Sequence, residues 1–341
     1  MYQDFFGLSA KPFQLTPDPN FFYASKEHKR AMAYLQYGLE QGEGFIVVSG
    51  AIGTGKSTIA KHLIADLNTQ QVSAIQLVTT CLAPLDLLQL IASGFGIVTD
   101  NLLDKASLLQ QIERFLNHNF DQGRRTLLLV DEAQNLPPES IEELRMLSNI
   151  QRDNQPLLQS FLLGQEELRD TLKGSNMEQF RQRIIASCHL PPLTEPECQQ
   201  YIQHRLNHVG WQNNPSFEAA SFALIHQTTR GIPRLINLFC DRLMLFCYLE
   251  ENSHISCEDV DTVSQEFIQE QEYATLPPKA ETVATQSLNH DNNDDAAVFR
   301  HHLEEVLQYL DKTMMEKLKL LKYLDKVLKD KNNQAKFANK T

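Results

Sequence analysis

The stretch Gly50-Ala51-Ile52-Gly53-Thr54-Gly55-Lys56-Ser57-Thr58 fits the pattern G-x-x-x-x-G-K-[ST]. Its glycines let a backbone turn with N–H groups pointing inward, close enough to hold phosphate oxygens. Lys56 is the cation for β- and γ-phosphates, and the Ser57 hydroxyl is a ligand for Mg²⁺. A second chemical pair, Asp131-Glu132, ends the apolar run Leu127-Leu128-Leu129-Val130. There Asp131 would hold Mg²⁺ through its water shell, and Glu132 would polarise an attacking water. Together the two stretches read as a site that binds ATP with Mg²⁺ and hydrolyses it to ADP and phosphate.

Such a site needs a strand to deliver the loop and a helix to begin on it. Phe45-Ile46-Val47-Val48-Ser49 reads as the strand, and Ile59, Ala60, Leu63 and Ile64 share one face of the helix that follows. The helix start adds orphan N–H donors and a positive dipole end. A continuous apolar run before Asp131 suits a central parallel strand buried on both faces. Its carboxyl end is where open α/β sheets bind ligands. Between the two motifs, the patterns predict a strand over 72–78 and helices over 84–95 and 105–120. After them come a helix over 138–151 and a strand over 157–165 that ends in Gln165. Gln165 is a candidate γ-phosphate sensor; a simple loop residue is the other reading, since polar strand ends are ordinary loop chemistry. Phe180-Arg181-Gln182-Arg183 precedes a short strand over 184–190, and Pro191-Pro192 breaks the chain, placing a domain boundary at 192.

The first 24 residues are rich in aromatics and prolines, and read as an extended arm packed on the core. Its aromatics either anchor it or flank an adenine ring. Ser25 is the expected N-cap of a helix over 26–41, with Ala31, Tyr34, Leu35 and Leu39 facing inward. The P-loop domain spans 25–192, and an all-helical domain follows over 193–270, with helices over 195–209, 216–229, 232–249 and 256–270. From 271 to 296 the composition is that of a disordered linker. Leu303, Leu307, Leu310, Met314, Leu321, Leu324 and Leu328 then recur near the coiled-coil period, giving an amphipathic helix over 297–330 before a basic tail over 331–341.

The 341 residues carry 31 basic and 43 acidic side chains, a net charge of −12, which disfavours nucleic-acid backbone binding. The six cysteines lack C-x-x-C spacing and read as small buried hydrophobes of a reduced, cytoplasmic protein. Neither a signal peptide nor an apolar stretch of membrane-spanning length is expected.

Taken together, these motifs resemble the AAA+ ATPases, and within them the general-secretion-pathway A (ExeA-type) family. The likeness extends to the secretion-type ATPase of exosortase/PEP-CTERM exopolysaccharide loci. It is carried by Phe6-Gly7-Leu8, Pro12-Phe13, Pro17-Asp18-Pro19, Ala31 to Leu35, Gly42 to Val48, Asp131 to Leu136 and Glu143 to Asn149. Leu158 to Gln165, Arg181 to Leu190 and Gly231 to Asn237 complete it. The resemblance covers 1–270 and implies an AAA+ three-layer sandwich with a parallel sheet, followed by a small all-α lid, a linker and a coiled-coil helix. It also implies a homo-oligomer in which Arg183, or else Arg181, is an arginine finger on a neighbouring subunit. Arg234 would be the sensor-2 arginine reaching the γ-phosphate from the lid. The implied role is support of exopolysaccharide or protein secretion at the cytoplasmic face of the inner membrane, through a protein partner and without a transmembrane span. The alternative is a DNA-acting AAA+ ATPase of the initiator or transposition-regulator type.

Overall fold

The computed structural model describes residues 2–16, 18, 21–78, 81–98 and 104–275. The chain divides into two units at Thr275/Leu276, and every described residue lies in the first. The expected coiled-coil helix, the basic tail and most of the linker therefore lie outside the described residues.

In chain order the elements are α1 (Tyr2–Phe6), α2 (Lys26–Gln41), β1 (Phe45–Gly50), α3 (Lys56–Asp66), β2 (Val72–Val78), α4 (Pro84–Gly94) and α5 (Lys105–Asp121). There follow β3 (Arg125–Asp131), α6 (Pro138–Leu147), β4 (Gln151–Arg152), β5 (Gln155–Pro156), β6 (Leu158–Gly164), α7 (Glu166–Lys173), α8 (Glu178–Arg181) and β7 (Ile184–Leu190). The remainder is α9 (Glu195–His208), β8 (Ser216–Phe217), α10 (Ser221–Thr229), α11 (Pro233–Leu249), β9 (His254–Ile255) and α12 (Cys257–Thr275).

Five strands form one sheet in the order β2-β3-β6-β1-β7, all parallel. β1 and β6 are buried at every position, which is why neither alternates apolar with polar residues, and Ser49, Gln159 and Ser160 are buried along with their apolar neighbours. Alternate residues still face opposite sides. Phe45, Val47, Leu128, Val130, Leu158 and Leu162 pack with Leu88 and Ile91 of α4, Ile112 of α5, Leu144 of α6 and Leu168 of α7. Ile46, Val48, Leu127, Leu129, Phe161 and Leu163 pack with Ala31 and Leu35 of α2 and Ile59 and Leu63 of α3. The result is the expected three-layer α/β sandwich.

A third cluster joins the arm to the helices that follow the sheet. Tyr2, Phe6, Leu8, Phe13 and Phe21 are buried among Ile202, Leu206, Phe239, Leu243 and Phe267 of the C-terminal helices. The arm is thus fastened to the helical part. Tyr2 Oη donates to Asp241 Oδ1 at 2.6 Å. Burial and that carboxylate raise the phenol's pKa well above its usual range.

Several expectations need correction. The arm is not wholly extended: α1 occupies its first residues, because the prolines begin only at Pro12. α6 ends at Leu147, and the hairpin β4–β5 turns through Asp153 and Asn154, both at positive φ, a conformation Asn and Asp tolerate. The C-terminal part is not purely helical, since β8 and β9 form a short parallel pair, and α10 starts at Ser221. α12 runs on to Thr275, past the expected linker start. Of the six free cysteines, Cys81 is exposed and Cys257 half-buried, so only four behave as core residues.

Candidate active site

Parallel strands put all their carboxyl ends on one edge. Gly50 ends β1, Asp131 ends β3 and Gly164 ends β6. β6 lies between the other two, with Leu162 level with Val130 and Gly164 level with Ser49. The residues just beyond these ends therefore meet above the sheet.

The loop after β1 wraps the start of α3. Gly55 caps that helix at φ 100° and Gly53 has φ 83°, both in the region that favours glycine. Space matters as much as φ. A Cβ at Gly53 would lie 2.7 Å from Arg234 Cβ, and one at Gly55 2.9 Å from His28 Nε2. Lys56 Nζ is buried and donates to the carbonyls of Gly50 at 2.8 Å and Ala51 at 2.9 Å. Burial lowers its pKa, and the charges of Glu132, Asp131 and Glu167 act against that shift. Thr54 is buried, with its hydroxyl on Ala51 O at 2.9 Å.

Asp131 is buried, and its Oδ1 accepts the Glu132 N–H at 3.0 Å. Glu132 adopts φ 54°, left-handed backbone that a non-glycine residue seldom takes. Gln165, just past β6, donates from Nε2 to Glu132 Oε2 at 3.2 Å.

Beside these groups lies a cleft of about 310 Å³. Ile52, Gly53, Gly55, Lys56, Ser57, Thr58 and Glu132 are among the residues that line it. Pro233 and Arg234 of α11 line it too, beside the loop, and the Arg234 N–H donates to Gly53 O at 3.2 Å. Phe21, Phe22 and Tyr23 of the arm line it as well. The structure thus brings Lys56, Ser57, Glu132 and Arg234 to one cavity, with Asp131 and Gln165 adjoining Glu132. It does not bring Arg183 there. Arg183 O accepts the Phe45 N–H at 2.8 Å, at the amino edge of the sheet, and its guanidinium donates to Ser148 Oγ at 3.2 Å. Arg181 donates to the carbonyls of Leu172 at 2.8 Å and Gly174 at 2.7 Å.

Three contributors were not foreseen. His28 of α2 is buried against the loop: Nε2–H donates to Thr54 O at 3.0 Å, and Nδ1 accepts from Ser25 Oγ at 2.7 Å. It lies three residues before Ala31 and seven before Leu35, so helical spacing alone marks it as inward-facing. Arg205 is buried, donating to Pro12 O at 2.6 Å and stacking 4.8 Å from the Phe21 ring. Gln134, in the turn after Glu132, donates from Nε2 to Glu132 Oε2 at 2.7 Å.

Burial holds the His28 imidazole below its ordinary pKa, with the Thr54 carbonyl and the Glu197 carboxylate offsetting part of the effect. The unfolded chain therefore takes up this proton first. Stability from a neutral His28 is complete above about pH 6.5 and declines as pH falls below it. The wild-type melting temperature should drop from pH 7 to pH 5 by more than that of His28→Gln. Parallel curves would remove His28 as the source.

The sheet order and the strand–loop–helix units that carry Lys56 and the Asp131-Glu132 pair are those of the P-loop AAA fold. The model of the AAA domain family matches residues 39–172. General secretion pathway protein A of Aeromonas hydrophila is 37% identical over 266 residues, covering 78% of this chain. The chain spans about half, 48%, of that relative's length. Among solved structures, Cdc6p from Pyrobaculum aerophilum superposes with a TM-score of 0.57 at 18% identity, over 77% of this chain and 75% of that one. The Aeropyrum pernix ORC2 protein, in its ADPNP–ADP complexes, gives 0.55 at 17% identity, over 77% and 75%. These structures share the fold. Among the described residues no helix is long and apolar enough to cross a membrane.

Proposed function

We propose that the cleft binds ATP with Mg²⁺, and that hydrolysis there drives motion between the α/β part and a helical lid beginning after residue 192. The observation that carries this is the convergence of Lys56, Ser57, Glu132 and Arg234 on one cavity at the carboxyl edge of the sheet. Lys56 and the loop N–H groups hold the β- and γ-phosphates. The donor set beside them, the Ser57 hydroxyl and the Asp131 carboxylate, is all oxygen, which suits Mg²⁺. When bound, that ion neutralises charge on the phosphates. Glu132 orients and polarises the attacking water, Gln165 senses the γ-phosphate, and Arg234 reaches it from the lid.

Lys56→Ala tests the binding reading. It removes a charge-assisted contact of about 1.5–3 kcal/mol, so ATP affinity should fall by roughly ten- to a hundred-fold. Titration with a fluorescent ATP analogue reads this directly, and unchanged affinity would move the site elsewhere.

We further propose that the ATPase acts as a homo-oligomer serving a secretion machine, for protein or exopolysaccharide, as a peripheral component at the inner face of the membrane. Similarity to a general secretion pathway protein supports this, and likeness to the ATPases of exosortase/PEP-CTERM loci extends it to exopolysaccharide. A net charge of −12 argues against a DNA-acting role. Capture from native cells with Glu132→Gln as bait should recover envelope components. Phosphate release stimulated by double-stranded DNA would favour the initiator-like alternative instead.

A further inference from the structure

Glu132 Oε2 accepts two amide N–H groups, from Gln134 Nε2 at 2.7 Å and Gln165 Nε2 at 3.2 Å. The other end of the Gln134 amide is also engaged: its Oε1 accepts the backbone N–H of Gln165 at 2.9 Å. This fixes which way the amide points. A flipped amide would set its NH₂ against an N–H and its oxygen against a carboxylate. The side chain is also closely packed, since a Cβ at Gly164 would lie 3.0 Å from Gln134 Oε1.

We propose that Gln134 is a positioning residue: it sets the Glu132 carboxylate and ties it to the end of β6. This rests on the reading of Glu132 as the group that polarises water. Gln165 follows Gly164 at the end of β6, so a shift of that strand end is passed through one amide to the carboxylate. The backbone of Glu132, at φ 54°, is unfavourable for a non-glycine residue, and needs such outside contacts to hold its side chain in one place. Gln134 does not itself line the cleft and reaches it only through Glu132, so its effect falls on turnover and not on affinity.

The test uses the full chain with three variants. Gln134→Leu keeps the bulk and removes both hydrogen bonds. A misplaced catalytic group costs up to about 10²-fold, so kcat should fall by roughly ten- to a hundred-fold, with KM for ATP and melting temperature unchanged. Gln134→Glu adds a pH readout. Ionised, the introduced carboxylate repels Glu132; protonated, its O–H donates to Glu132 Oε2 and its carbonyl accepts from Gln165. Its kcat relative to wild type should therefore rise as pH falls. Glu132→Gln, run in parallel, separates the two readings. If that variant is inactive while Gln134→Leu turns over at the wild-type rate, the positioning role is wrong and the base assignment stands. If Glu132→Gln keeps full activity, the base assignment fails and takes this proposal with it. A flat relative pH profile for Gln134→Glu, or a Gln134→Leu loss matched by lower melting temperature and weaker ATP binding, would mean Gln134 is merely structural.

Discussion

Glu132→Gln is expected to bind ATP as tightly as the wild type while its turnover falls by roughly 10²–10⁴-fold, the usual contribution of a positioned general base. The substitution preserves size, and the amide oxygen can still accept from Gln134 and Gln165, as Oε2 does at 2.7 and 3.2 Å. What disappears is the negative charge that draws a proton from water. Lys56, Ser57 and the loop are untouched, so affinity holds. Steady-state phosphate release gives kcat, and a fluorescent nucleotide gives Kd. Turnover at the wild-type rate would show that another group activates the water. A parallel fall in affinity would show instead that the carboxylate supports binding.

The second large effect concerns Arg183. β1 is six residues long, roughly 20 Å of strand. Arg183 sits at the amino end of that span, on the edge opposite the phosphate loop, with its guanidinium on Ser148. If it serves an ATP site, that site belongs to a neighbouring subunit. An arginine supplied in this way contributes about 10³–10⁵ in rate. Arg183→Ala should therefore cost most of the activity while leaving ATP affinity intact. Wild-type specific activity should rise with protein concentration. Mixing Arg183→Ala with Lys56→Ala should restore some turnover, because one interface then pairs an intact loop with an intact arginine. Concentration-independent activity without rescue would dismiss a shared site. Arg181, held by the carbonyls of Leu172 and Gly174, is the control. Its alanine variant should lose stability through unpaired carbonyls, and rescue by mixing would transfer the role to it.

Local chemistry made much of this protein legible. Strand, glycine turn and Lys-Ser follow one another within a single short segment, so no distant contact is needed to recognise the phosphate loop. The run before Asp131 announced a strand buried on both faces, because only such a strand drops the polar alternation. Ser25 as N-cap was equally local: its hydroxyl accepts the His28 N–H. Where the reading failed, the deciding forces were non-local. The arm's aromatics read as anchors or as flanks of an adenine ring, but that Tyr2, Phe6, Phe13 and Phe21 are buried among α9, α11 and α12 follows from which apolar surface those helices leave uncovered. The hairpin after α6 depends on two residues at positive φ, which helical spacing does not register.

The sequence by itself determined the phosphate loop, the carboxylate pair and the alternation of strand and helix, since each is set by residues adjacent along the chain. Only the tertiary structure decided how they meet. Inserting β6 between β3 and β1 places Gln165 beside Glu132, and a parallel sheet sends Arg183 to the far edge. The same packing turns His28 against the loop and lets Gln134 bridge a carboxylate and a strand end. Strand order and helix packing are settled by which faces bury together, and no spacing along one chain records that choice.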